Sequence, residues 1–306
     1  MKVIVTGASG VLGTAVYDAF TNAPASNEVL GLAYTRPKGS LKVIDLLDSE
    51  KLEELVKEFK PDWIVHCAAE RKPDVAEKDP EGTKKLNISV PENLAKLSKK
   101  YGFTLIYIST DYVFDGTSPP YVPSARTNPL QLYGETKRDG EIAVLGIEGS
   151  KSVVLRVPVL YGPAPSNADS AINILLDVVQ DQSGKTYKMD HYQTRYPTNV
   201  IDIANFLVRM SALPKRKTLP PIIHYSSPEP FTKYEICLIF AGILGVPHKH
   251  IIPQADEPAP GSTPRPRDTQ LYVRETEDLG IEGGLGTTGF EEWWIEYLGK
   301  KQGASS

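Results

Sequence analysis

Residues 1–20 read MKVIVTGASGVLGTAVYDAF, an opening that leaves the chain little choice of fold. Val3, Ile4 and Val5 form a β-branched run with room for one buried strand, and Gly7, Gly10 and Gly13 then lead into an amphipathic helix. Each glycine has a task in that order. Gly7 permits the tight turn, Gly10 brings the backbone close to a diphosphate, and Gly13 lets the helix pack down on the sheet. The helix N-terminus offers free N–H groups and the positive end of its dipole to the phosphates. The spacing is Gly-x-x-Gly-x-x-Gly, so its weight comes from its place between a strand and a helix. This stretch predicts a dinucleotide site contacted by Gly7, Ser9, Gly10, Val11, Leu12 and Gly13.

The 306 residues have room for one large α/β unit and a smaller one. With 34 basic against 38 acidic residues and no basic block, nucleic acid is not an expected partner. No apolar run approaches the roughly 18 residues of a membrane span. The first strand begins at residue 2, which leaves no space ahead of it for a signal peptide, so a cytoplasmic protein is expected. Cys67 and Cys237 stand in separate apolar contexts and read as reduced core residues, not as a disulfide or a metal pair; no metal site is expected.

Residues 28–34 read as the second strand. Its end, where such folds meet the adenosine ribose, carries Tyr34, Thr35, Arg36, Pro37 and Lys38, with no acidic residue between Glu28 and Asp45. A cation and a hydroxyl there suit a 2′-phosphate and favour NADP over NAD, although a solvated basic loop would look the same. A short third strand over 42–45 sets Asp45 and Leu46 against the adenine. The following helix is expected to be capped by Ser49, with Leu52, Leu55, Val56 and Phe59 as its apolar stripe. Residues 63–66 form the fourth strand and deliver Cys67, Ala68 and Ala69, small enough for a dinucleotide to lie close. A charged segment, 70–79, precedes a helix over about 84–101 and places Arg71 and Lys72 either at the cleft or in solvent.

Residues 104–109 are the fifth strand, with Thr110 and Asp111 beyond its end. Tyr133 and Lys137, four apart at the start of a helix, project from one face. Reduction of a carbonyl needs a hydride donor at one face and an acid at the oxygen. A phenol, with its pKa ordinarily about 10, can be that acid when an ammonium stabilises its phenolate. Tyr133 is assigned that role, Lys137 supports it and holds the cofactor ribose, and Thr110 bonds the substrate oxygen, with Ser109 as the alternative hydroxyl. A sixth strand over 152–157 ends in Pro158, beside the cofactor.

The glycine turn, the Ser-Thr strand end and Tyr-x-x-x-Lys together resemble the extended short-chain dehydrogenase/reductase superfamily. STDYVFDG (109–116), LYGETK (132–137), LRVPVLYG (155–162) and RPRDTQL (265–271) resemble the dTDP-4-dehydrorhamnose reductase, RmlD-like family. Within it, HCAAERKPDVAEKDP (66–80) and MDHYQTRYPTNVIDIA (189–204) are similar to the β regulatory subunits of methionine adenosyltransferase. The resemblance implies a Rossmann-type doubly wound parallel sheet. An NADP-binding unit would span 1–160 and a mainly substrate-binding lobe 161–306, with segments around 190–226 returning to the sheet. It also implies a substrate cleft faced by Arg71, Asp111, His191, Gln193, Arg195 and Arg265, where arginines suit a phosphate or carboxylate.

Two functions follow from the resemblance. One is an NADP-binding regulator of a methionine adenosyltransferase catalytic subunit, in S-adenosylmethionine biosynthesis. The other is an active NADPH-dependent oxidoreductase acting on a keto-sugar nucleotide or another small carbonyl compound. Intact Thr110, Tyr133 and Lys137 favour the enzyme. ERKPD at 70–74, in place of the Thr-and-Val-Asp pattern usual in rhamnose reductases, favours the regulator. The terminal GKKQGASS lacks the apolar tail associated with docking of such a regulator on its partner.

Overall fold

The computed structural model describes residues 1–37, 39–214, 218–258 and 261–303, without the side chains of 301–303. Lys38 and the last residues of the C-terminal tail lie outside the described residues. The chain runs β1 (Lys2–Thr6), α1 (Val11–Thr21), β2 (Glu28–Ala33), β3 (Lys42–Val43), α2 (Ser49–Phe59) and β4 (Trp63–His66). Then come α3 (Pro73–Ala76), α4 (Pro80–Lys84), α5 (Val90–Tyr101), β5 (Thr104–Thr110), α6 (Leu132–Leu145) and β6 (Lys151–Val157). The later part adds β7 (Leu160–Tyr161), α7 (Ile174–Gln180), β8 (Tyr187–Asp190), β9 (Thr198–Asn199) and α8 (Val200–Ser211). It ends with β10 (Ile222–His224), α9 (Lys233–Leu244), β11 (Ile251–Gln254), α10 (Arg274–Glu277) and α11 (Phe290–Gly303).

Seven strands pair in the order β10-β6-β5-β4-β1-β2-β3, every pair parallel. Helices cover both faces of such a sheet, so its strands are apolar on both sides. Alternate residues divide accordingly. Val3, Val5, Val65 and Ile106 pack under α1 and α8, while Ile4, Ile64, Leu105 and Tyr107 pack under α2 and α5. The strand order reverses at β1, which lies between β2 and β4, and a crevice opens at the carboxyl ends there. A third core gathers Tyr161, Leu175, Phe240, Phe290 and Trp294 beside two small parallel sheets, β7-β9 and β8-β11.

Several local expectations need correction. The cap of α2 is Asp48, whose carboxylate accepts from the Lys51 N–H at 3.1 Å, and Ser49 is the first helical residue. The third strand stops at Val43. Thr110 closes β5, paired with Val157, and does not lie past it. The helix expected over 84–101 contains a π turn, Lys85–Ser89, ahead of α5. Pro91 has no N–H to give the Asn87 carbonyl, and the buried Tyr107 hydroxyl donates to that carbonyl at 3.2 Å. Beyond β7 a single 3₁₀ turn, Asn167–Asp169, comes before α7.

Candidate active site

A cleft of about 980 Å³ runs along the carboxyl ends of the strands. At one end its wall is main chain. Gly7 has φ of +64°, and a Cβ on it would stand 2.8 Å from the Ala68 nitrogen. A Cβ on Gly13 would stand 2.1 Å from the Gly7 carbonyl oxygen, so this glycine seats the helix on the turn itself. Gly10 caps α1 with no side-chain bond, which leaves the first N–H groups of the helix turned to the cleft. Ser9, Val11, Leu12, Cys67, Ala68, Ala69 and Pro158 line the same wall. This cradle fits a dinucleotide diphosphate, and a Cβ at Gly7 or Gly13 would collide with the main chain that shapes it.

Tyr34, Arg36, Asp45 and Leu46, expected to meet the adenosine, line the cleft as well. Arg36 is already engaged: its Nη1 donates to both carboxylate oxygens of Asp169, at 3.0 and 2.8 Å. That pairing holds the Asp169 carboxyl below its usual range.

At the other end the wall is side chain. Thr110 donates to the Asp111 carboxylate at 3.1 Å and accepts the Tyr112 N–H at 3.2 Å. The half-buried Tyr133 phenol is pushed above its ordinary range by burial, opposed by its bond with Thr110. Lys137 is 2 % exposed, donates to the Ile108 carbonyl at 2.7 Å and lies 3.9 Å over the Tyr107 ring. Burial pushes its ammonium down to about 7, opposed by the Glu141 charge one turn along the helix. Asp111 is raised to about 6 by burial, although Thr269 donates to it at 2.5 Å. Ser109, the alternative hydroxyl, also lines the cleft and donates to Glu141 at 2.5 Å.

Beneath this end Glu141 and Arg156 form a buried two-point ion pair, at 2.9 and 2.7 Å, that ties α6 to β6. His224 lies 3.3 Å from Arg156 and 3.2 Å from the Tyr272 carbonyl, in a structural place.

Arg71, Asp111, Arg195 and Arg265 reach the cleft wall, whereas His191 and Gln193 are not on it. His191 bonds Thr232 at 2.9 Å, and Gln193 accepts from Arg195 at 2.5 Å, which puts both behind the wall. Arg195 also donates to the Thr194 and Pro266 carbonyls, and Arg265 pairs with Asp74 at 3.2 Å. Lys233, at the first position of α9, lines the cleft without having been foreseen. Its place was hinted at by sequence, because a cation at a helix N-terminus opposes the helix dipole. Asp169 and Asp74 were not foreseen either; each pairs with a residue far away in sequence.

Residues 1–284 match the RmlD substrate binding domain. A methionine adenosyltransferase 2 subunit beta from Xenopus laevis is 44 % identical over 284 residues, covering 92 % of this chain and 83 % of the relative. A dTDP-4-dehydrorhamnose reductase structure from Clostridium acetobutylicum aligns at TM-score 0.82 and 24 % identity, over 99 % of this chain and 100 % of the other. Another, from Bacillus anthracis in complex with NADP, aligns at 0.81 and 24 %, over 98 % of this chain and 99 % of the other. Among the described residues no helix is long and apolar enough to cross a membrane.

Proposed function

The chain belongs to the RmlD substrate binding domain family, and on that footing we propose that it is an NADP(H)-binding regulatory subunit of a methionine adenosyltransferase, acting in the cytoplasm in S-adenosylmethionine synthesis. The observation that carries this reading is the similarity to the Xenopus subunit along 92 % of the chain. At the far end of the cleft Arg265 pairs with Asp74, and Arg195 with Gln193 and two carbonyls.

In this reading residues 1–160 hold the cofactor, and 161–306 form mainly the second lobe, with β10 returning to the sheet. The helix N-terminus and Gly7, Gly10 and Gly13 take the diphosphate, Arg36 the 2′-phosphate, and Cys67, Ala68, Ala69 and Pro158 the face of the nicotinamide half. NADPH, when bound, supplies a hydride.

A second reading, an active reductase of a small carbonyl compound, is favoured by one observation: Thr110, Tyr133 and Lys137 line the cleft together. In that case Thr110 orients the carbonyl oxygen, Tyr133 gives it a proton, and Lys137 steadies the resulting phenolate. Asp111 then faces the substrate with Arg71.

The test is reconstitution with the methionine adenosyltransferase catalytic chain of the same cell, followed by gel filtration with and without NADPH. A stoichiometric complex is expected. No complex in either condition overturns the regulatory reading and promotes the reductase.

A further inference from the structure

Three elements converge on one carboxylate at the adenosine end. Arg36, from the loop after β2, bonds both oxygens of Asp169, and Arg71, from the loop after β4, lies 3.9 Å away. Asp169 itself belongs to the 3₁₀ turn Asn167–Asp169, across the cleft. Its side chain is only 14 % exposed, while those of Arg36 and Arg71 are 47 % and 45 % exposed. The carboxylate is thus set into the wall, and the two guanidiniums lean over it. Arg36, Arg71, Lys72 and Asp169 all line the cleft. Their charges sum to positive, so the group still attracts an anion stronger than a carboxylate.

A 2′-phosphate is such an anion, with about two charges and three acceptor oxygens. It and Asp169 cannot both hold Arg36 without like-charge repulsion at contact distance. A ribose hydroxyl brings no charge with which to replace the carboxylate. We infer that Asp169 is a specificity-determining counterion: it holds Arg36 in the free protein, the 2′-phosphate of NADP(H) displaces it, and NAD(H) does not.

The inference rests on the proposed NADP(H) binding and adds a consequence to it. Ser170, which donates to the Leu160 carbonyl at 2.7 Å, anchors the turn to β7. Displacement therefore frees Asn167–Asp169 and leaves α7 in place. The second lobe gains a signal of which cofactor is bound.

The experiment titrates the full chain and its Asp169→Asn and Asp169→Glu variants with NADPH and NADH by calorimetry. Hydrogen exchange is followed at the Asp169 and Ser170 amides, which donate to Ser166 and Asn167. Losing one partly exposed ion pair should let Asp169→Asn bind NADPH about five-fold tighter, with NADH changed less than about two-fold. Asp169→Glu should resemble the parent. In the parent, NADPH should speed exchange at these amides and NADH should not; in Asp169→Asn it should be fast with or without ligand. An unchanged NADPH to NADH ratio in Asp169→Asn, or equal exchange with both cofactors, overturns the inference alone. Failure of the parent to bind either cofactor overturns the NADP(H) reading, and the inference falls with it.

Discussion

At the end of the cleft under α1 the wall consists of glycine backbone and small side chains, with the Arg36–Asp169 ion pair beside them. At the end under α6 it consists of Thr110, Asp111, Lys137, Arg195 and Arg265, each bonded to another part of the chain. Apart from the Arg36–Asp169 pair, the first end offers a ligand the N–H groups at the start of α1, and the second satisfies its own. Substitutions should divide in the same way. Changes of side chain at the first end, Gly7 and Gly13 apart, should alter ligand affinity and spare the fold, whereas changes at or beneath the second should alter stability and its dependence on pH.

The strongest challenge to that division is Glu141→Ala. It strands the Arg156 guanidinium in the core and should cost about 3–5 kcal/mol in urea unfolding. A loss below about 1 kcal/mol would mean the buried pair does not hold α6 to the sheet. Tyr133→Phe comes next. Whatever carbonyl compound is reduced, turnover should fall about 10²–10⁴-fold while NADPH affinity and partner binding stay as they were. Unchanged turnover would remove Tyr133 from the acid role.

Arg36→Ala sharpens the contrast from the open end. NADPH should weaken about 10-fold or more, NADH far less, and the unfolding midpoint should barely move. Equal losses for both cofactors would undo the 2′-phosphate assignment. The smallest effect belongs to Asp111. Its carboxyl titrates near 6 in the folded chain and near about 4 unfolded, so the folded state binds the extra proton between those values. Stability therefore falls as pH rises through that interval. Asp111→Asn escapes this loss, and its advantage over the parent should grow by about 1–2 kcal/mol between pH 4 and pH 7. A difference that is flat with pH would show that the buried carboxylate is not titrating.

The row of strand ends along the cleft was legible in the sequence for a geometric reason. Parallel strands end at one edge, so once Val3–Val5, WIVH and TLIYIS are recognised as strands, the residues after each must meet there. Gly7, Cys67 and Thr110 all line the cleft as that logic requires. Lys137 and Tyr133 followed from helical spacing taken together with the Ser-Thr strand end upstream and the glycine turn. The closed end depends on pairs between distant residues, which no periodicity encodes. Nothing near Arg265 announces Asp74, and the pair at the open end is equally hidden, since nothing near Arg36 announces Asp169. His191 and Gln193 were placed one layer too far forward, because a loop sequence gives no direction to its side chains. The cap of α2 moved to Asp48 because Asp48 and Ser49 are both good caps, and only the backbone geometry separates them.

Strand β10 has a consequence for how this chain is made. It pairs with β6 through Ile222, Ile223 and His224, yet a ribosome completes β6 long before it delivers them. During that interval the row of Val154, Leu155 and Arg156 is an unpaired edge, able to recruit a strand from any neighbouring nascent chain. A fragment ending at residue 160 would make that exposure permanent, so the cofactor half should aggregate when expressed alone and stay in solution once extended past β10.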